Sequence, residues 1–329
     1  MPQSSLVYAV ARTRVLEGKL LTQDRLRRML DAQSAQDALR ALQEMGYGGA
    51  QEGDIKQMID QELSQAYRYV REVTPNVYAT GAFLLKGDCY NLKVLFKGKV
   101  LGKEVQHMLL DRGTLGIDAL LAAVQNQDYA VLPAHLGQVA RQLDARIEGG
   151  FGNVREIECM LDAACFADMA DYARRSSQQV VVQCVQVQAD LLNLITLLRI
   201  KRSQAGPEQL AGALLPGGSV PHALYLSAMG VSEDALLQHL GLTQYHDALA
   251  AGLELYARNG SLSLLERESD DVVTHLLQQR RYERESIAPL IGYLIAKERE
   301  AQAVRLVVVA KMNDVPMQMA QERLRDLYA

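Results

Sequence analysis

The chain has 329 residues, 49% of them apolar and 22% charged, enough to bury a sizeable core and too apolar for global disorder. A formal net charge of −4, 5% aromatic residues and no tryptophan speak against a nucleic-acid binder, which needs a basic footprint and often stacking platforms. The chain shows no continuous run of about 18 apolar residues and no signal-peptide pattern at its start, so a soluble protein able to dock on a membrane protein is expected.

The first predicted elements are amphipathic helices. In QDRLRRMLDAQSAQDALRALQEM (Gln23 onward), Leu26, Met29 and Leu30, then Ala38, Leu39 and Leu42, recur at helical spacing among good helix formers. The same region is basic. Arg12, Arg14, Arg25, Arg27 and Arg28, with Lys19, form a candidate face for docking on acidic loops of a partner, although a solvated helix face carries the same residues.

A helix is then predicted over DCYNLKVLFKGK, from Asp88 to Lys99, and it recurs. DLLNLITLLRIK runs from Asp190 to Lys201 and EAQAVRLVVVAK from Glu300 to Lys311. Each begins with an acid, ends with a lysine and places an apolar trio on one face at i, i+3 and i+4: Leu92, Leu95 and Phe96; Leu194, Leu197 and Leu198; Val304, Val307 and Val308. Asn91 and Asn193 correspond, and the third copy has Ala303 there. An acid first and a base last also suit the helix macrodipole, so the trios are expected to pack inside and the charged ends to lie nearer the surface or the joints. Asp88, Asn91, Lys99, Asp190, Asn193, Lys201, Glu300 and Lys311 are therefore marked as repeat positions and candidate interface residues.

A second marker advances with the first by about one hundred residues: GKLLTQDRLRRML from Gly18, GTLGIDALLAAV from Gly113 and GSVPHALYLSAM from Gly218. Breaks at Asp111 to Thr114 and Leu214 to Pro221 then divide the chain into helical repeats 1–112, 113–216 and 217–329, with elements open to exchange between them. Strand patterning is almost absent. The valine-rich QQVVVQCVQVQAD from Gln178 leads straight into the second copy and is predicted helical. The class is all-α, with three similar subdomains that can close into a pseudo-threefold body.

Catalytic signatures are missing. Gly18-Lys19, Gly98-Lys99 and Gly102-Lys103 are followed by Leu, Val and Glu rather than the hydroxyl of a P-loop, and neither G-x-G-x-x-G nor H-E-x-x-H occurs. EGGFGNVRE (Glu148 to Glu156) is expected to be a turn between helices. His239 and His246, seven apart, could share a helix face. The acidic runs ERESDD and KERE are expected to be solvated helix faces. Cys89, Cys159, Cys165 and Cys184 form no C-x-x-C pair and are expected as reduced core thiols. No catalytic, cofactor or metal residue is assigned.

These blocks carry a resemblance. YAVARTRVLEGKLLTQDRLRRML from Tyr8, MGYGG at Met45–Gly49, the helices from Asp88 and Asp190, and the tail AKEREAQAVRLVVVAKMNDVPMQMAQERLRDLYA together resemble the C subunit of archaeal and bacterial V/A-type ATPases, whose eukaryotic counterpart is the d subunit of V-ATPase. Ala303 departs from the repeat pattern, and the segment from about Gly116 to Ala189 matches in pattern only. The resemblance implies three helical subdomains in a pseudo-threefold funnel. It implies a non-catalytic, cofactor-free place in a central stalk, with the central-shaft subunits D and F in the funnel and its base on the membrane proteolipid ring. It also implies a peripheral position on the cytoplasmic side and a part in proton or sodium ion transport or ATP synthesis. A helical scaffold of another complex, or an all-α enzyme using a carboxylate or histidine site, would need the same core.

Overall fold

The computed structural model describes residues 5–47, 55–283 and 285–328, which form helices joined by turns with no strand among the described residues. The all-α class is as the periodicity predicts. Gly48 and Gly49 of the Met45–Gly49 motif lie outside the described residues. The chain divides into two compact units, one of Met1–Pro75 with Gln244–Ala329 and one of Asn76–Thr243.

The first unit opens with α1 (Leu6–Glu17), α2 (Gln23–Asp31), α3 (Ala35–Glu44) and α4 (Ile55–Val73). The first three start where the sequence supplies a hydroxyl: Ser5, Thr22 and Ser34 accept from the N–H groups of Tyr8, Arg25 and Asp37. Each cap satisfies a donor that a helix start would otherwise leave unpaired.

The second unit holds α5 (Val77–Leu101), α6 (Ile117–Gln125), α7 (Ala134–Glu148), α8 (Val154–Ser176), α9 (Gln179–Arg202), α10 (Pro207–Ala211), α11 (His222–Ser227) and α12 (Leu236–His239). Helices α5 and α8 run antiparallel. Gly81 lies against the Tyr172 ring, the Cys165 thiol donates to the Leu85 carbonyl, the Cys89 thiol to that of Leu161, and Lys97 pairs with Glu158. Gly87 is required for space, because a Cβ there would come within 2.4 Å of the Arg112 carbonyl oxygen. The Gly-rich stretch after α7 is the expected turn, with Gly150 at φ +89° and Asn153 capping α8.

The valine-rich run is the start of α9. Val180, Val181, Cys184, Val185 and Val187 are all buried, and this packing outweighs the β preference of the branched side chains. Helix α9 is also long and apolar enough to cross a membrane, which the absence of a continuous apolar run did not suggest. However, 67% of its apolar window is buried inside the protein, as in a core helix.

The chain returns to the first unit with α13 (His246–Asn259), α14 (Ser263–Gln278), α15 (Ala288–Met312) and α16 (Met317–Gln321). Helix α15 is the unit's axis. Its Val304, Val307 and Val308 pack with Leu21, Leu26 and Met29, with Ala38 and Leu42, and with Met58, Ile59 and Leu63. The four cysteines are free thiols, three of them buried and Cys159 half-buried. His239 ends α12 and His246 begins α13, so the two do not share a helix face as the spacing allowed.

The segment after α16 is tied to α14. Gln278 donates to the Leu327 and Tyr328 carbonyls, and the Asp326 N–H donates to Asp271 at 2.9 Å. Burial pushes the Asp271 carboxyl up to about 6. A raised carboxyl contributes stability that is present below the ordinary value of 3.8 and is lost as pH rises through about 6. Asp271→Asn keeps an acceptor for the Asp326 N–H and removes the charge. It is expected to gain about 2–3 kcal/mol over the parent chain at pH 8 and almost nothing at pH 4, measured by denaturant unfolding at both values.

Three acid clasps and a candidate docking face

Each repeat-marker acid captures the backbone of a distant glycine-marked segment. Asp88, on α5, accepts from the N–H (2.7 Å) and hydroxyl (2.6 Å) of Thr114 and from the Leu115 N–H (3.2 Å). Asp190, on α9, repeats this with the Ser219 N–H (2.9 Å), the Ser219 hydroxyl (2.5 Å) and the Val220 N–H (3.1 Å). Glu300, on α15, accepts from the Leu21 N–H at 2.8 Å. The glycine ahead of the first two segments lets the backbone reach the carboxylate. A Cβ on Gly113 would sit 1.9 Å from an Asp88 oxygen, and one on Gly218 2.1 Å from an Asp190 oxygen.

The asparagines hold the residues just before those glycines. Asn91 donates to the Leu110 carbonyl and accepts from its N–H, both at 2.9 Å. Asn193 does the same for Leu215, both at 2.8 Å. Leu110 and Leu215 lie in loops, where backbone groups need an outside partner. In the third copy the residues ahead of Gly18 form α1, which pairs its own backbone. No loop is left for an asparagine to hold, and Ala303 joins the apolar cluster with Leu21 and Leu26 instead.

The lysines close the far end. Lys99 donates to the Val124 carbonyl of α6 and pairs with Asp144; Lys201 donates to the Val231 carbonyl and pairs with Glu233; Lys311 donates to the Leu30 and Ala32 carbonyls at the end of α2. In each case a cation meets carbonyls at the C-terminal end of a helical segment, where the macrodipole favours it.

The sequence pattern set the acids nearer the surface or the joints. The structure places them inside, with Asp88 at 0%, Asp190 at 2% and Glu300 at 1% exposure, and buries Asn91 and Asn193 as well. The physical reason is that a carboxylate receiving several N–H and O–H donors can be buried at small cost. The apolar trios lie in the core as expected. The pattern did not reveal what the acids bind, although a hydroxyl directly after Gly113 and Gly218 was a usable signal. Nor did it reveal Lys297, buried on α15 between Glu62 and Glu300 at 2.7 Å from each. Desolvation drives the Glu300 carboxyl up, and the same burial opposes the Lys297 charge, which the two carboxylates restore and hold above the ordinary lysine value.

Asp168 of α8 is another cap of this kind. Its carboxylate receives the His135 and Leu136 N–H groups at the start of α7, while Asp171 pairs with the His135 ring and Arg174. His135, Asp168 and Asp171 gather their ligand atoms within 4.8 Å. The bonds present account for the gathering as the capping of α7 by α8.

The five arginines differ in what they contact. Arg14 pairs with Glu17 at 2.6 Å, and Arg25 donates to the Lys19 and Leu20 carbonyls. Arg12 lies exposed over the Tyr69 ring, and Arg27 and Arg28 are exposed on α2. On α1, Arg12 shares its solvent side with Val7, Tyr8 and Val15, which are 63%, 54% and 69% exposed. An apolar and basic stripe along the length of a helix is what such an element offers to a partner.

Comparison with known proteins supplies the family. Residues 9–323 match the family model described as ATP synthase (C/AC39) subunit. Among similar proteins, the C subunit of the V-type sodium ATPase of Enterococcus hirae is 22% identical over 84% of this chain and 83% of its own length. The C subunit of the A-type ATP synthase of Methanosarcina mazei is 24% identical over 98% and 93%, and that of the V-type ATP synthase of Thermus thermophilus 26% over 92% and 93%. With nearly its whole length matched, the chain belongs to the ATP synthase (C/AC39) subunit family, which holds the C subunits of V/A-type ATPases.

Proposed function

We propose that the chain is a non-catalytic central-stalk subunit that joins the rotating shaft, subunits D and F, to the membrane proteolipid ring. It sits peripherally on the cytoplasmic side and carries torque for proton or sodium ion transport coupled to ATP hydrolysis or synthesis. The observation that carries this reading is the family match over residues 9–323. The Asp88 and Asp190 clasps suit such a role, because buried, hydrogen-bonded joints make a stiff body and a torque coupler must not yield.

Repeats 1–112, 113–216 and 217–329 form a pseudo-threefold funnel in this proposal. Support comes from the order of the clasps. The acid of the first repeat takes Thr114 of the second, that of the second takes Ser219 of the third, and that of the third takes Leu21 of the first. Such a cycle is what three exchanged repeats closing on themselves require. The solvent side of α1, with Arg12, Tyr8 and Val15, and Arg27 and Arg28 of α2 are the proposed docking residues for acidic partner surfaces. The eight repeat markers then act on partners through the rigidity of the body they brace.

A gentle-detergent pull-down of the tagged chain from its native membranes tests the role. The shaft subunits and the small proteolipid are expected together among the recovered proteins. Recovery of neither, from membranes holding an intact rotary ATPase, would leave a helical scaffold of some other complex.

A further inference from the structure

The three clasps differ in strength in one direction. Asp88 and Asp190 each hold at least two backbone N–H groups and one hydroxyl, and each is backed by an asparagine that pins the preceding loop. Glu300 holds the Leu21 N–H, and no asparagine stands behind it. Gly113 and Gly218 are pressed on their carboxylates, whereas a Cβ on Gly18 would meet nothing closer than the Val15 carbonyl oxygen at 3.5 Å.

Behind the third clasp lies a cavity of about 390 Å³, lined by Gly18, Lys19, Leu21, Glu62, Lys297 and Glu300 among others. It borders the segment, whose own Leu20 and Leu21 are buried at 2% and 5% exposure and leave their packing when it lifts. Glu300 also keeps a partner when the segment leaves: Lys297 stays 2.7 Å away and is itself held by Glu62. Opening therefore strands no buried charge, the term that otherwise makes such a step prohibitive. The far end of α2 is fixed, because Lys311 holds the Leu30 and Ala32 carbonyls.

We propose that the Glu300 clasp is the release point of the fold: Gly18 to Thr22 lifts from α15 and re-closes, while α2 stays seated through Leu26, Met29 and its Lys311-held end, and the Asp88 and Asp190 clasps stay shut. Release widens the mouth of the cavity and moves the start of the basic stretch at Lys19 and Arg25. It is a property of the free chain, so it stands or falls separately from the proposed place in a rotor.

Amide hydrogen exchange on the full chain, corrected for intrinsic rates, tests it. The Leu21 amide is expected to exchange at least about tenfold faster than those of Thr114 and Ser219, because local openings break fewer bonds than cooperative ones. Glu300→Asp shortens the acid while keeping its charge. It is expected to accelerate exchange across residues 18–22 further and leave residues 113–115 and 218–220 at their parent rates. Protection of Leu21 equal to that of Thr114 and Ser219 overturns the proposal, as does an Asp variant that accelerates all three segments together. The comparison within the parent chain decides the matter even if the variant fails to fold.

Discussion

Gly113→Ala and Gly218→Ala are each expected to destabilise the chain by about 3 kcal/mol or more, and Gly18→Ala by close to nothing. Neither Gly113 nor Gly218 has a positive φ, so alanine is compatible with their backbone and the penalty comes from space alone. The added methyl would lie 1.9 Å or 2.1 Å from a buried carboxylate oxygen, far inside van der Waals contact. Either the segment moves out or the carboxylate turns away, and both break the bonds to Thr114 and Leu115, or to Ser219 and Val220. Hydrogen bonds to a charged group are worth roughly 1.5–3 kcal/mol each, so losing part of one clasp reaches the expected value. Gly18 ends α1 in a right-handed conformation, and a Cβ there would meet the Val15 carbonyl oxygen at 3.5 Å, an ordinary contact, so alanine fits. Denaturant unfolding of the three variants measures the contrast. Equal costs at all three glycines would remove the carboxylate contact as the reason for glycine at 113 and 218.

Much of this architecture was legible because it is periodic. The trios Leu92, Leu95 and Phe96, Leu194, Leu197 and Leu198, and Val304, Val307 and Val308 lie at helical spacing, and a face of that kind has nowhere to go but a core. The lysines were legible as helix ends for the same local reason. The acids were legible as markers, and of the two places expected for them, the surface or the joints, their burial excludes the surface. The macrodipole rule took each acid for a helix start, whereas Asp88, Asp190 and Glu300 stand in the middle of α5, α9 and α15, and nothing local hinted that Asp190 reaches residues 219 and 220. That information is non-local: it depends on which loop the fold returns to the helix. The substitution at Ala303 was visible without its cause, because only the structure shows that helix α1 replaces the loop an asparagine would hold. The proposed docking residues are least legible of all, since an exposed Arg27 and a structurally engaged Arg25 look alike in sequence and differ in what Lys19 and Leu20 offer nearby.

Leu197→Asp is expected to cost several kcal/mol at neutral pH, more than Leu95→Asp. Leu197 is 0% exposed between Leu194 and Leu198 on the helix that also carries Asp190 and Asn193, whereas Leu95 keeps 8% exposure at its site. An aspartate at 197 has no cation within its own trio, so burial would drive its carboxyl upward. The sign of the pH effect follows. The folded state would favour the protonated form, so the loss is smallest below the ordinary carboxyl range and grows as pH rises through the elevated value. Unfolding curves at pH 4 and pH 8 read this as a gap between variant and parent that widens with pH. Because α9 holds Ser219 and Val220 through Asp190 and Leu215 through Asn193, displacing its buried face also loosens the segments it braces. The variant is therefore expected to lose protection at residues 215–220 together with α9, rather than at residue 197 alone. Native-like melting of both variants would show that these faces are not core. Melting confined to the turn around residue 197 would show that the clasp does not couple α9 to the loop that follows it.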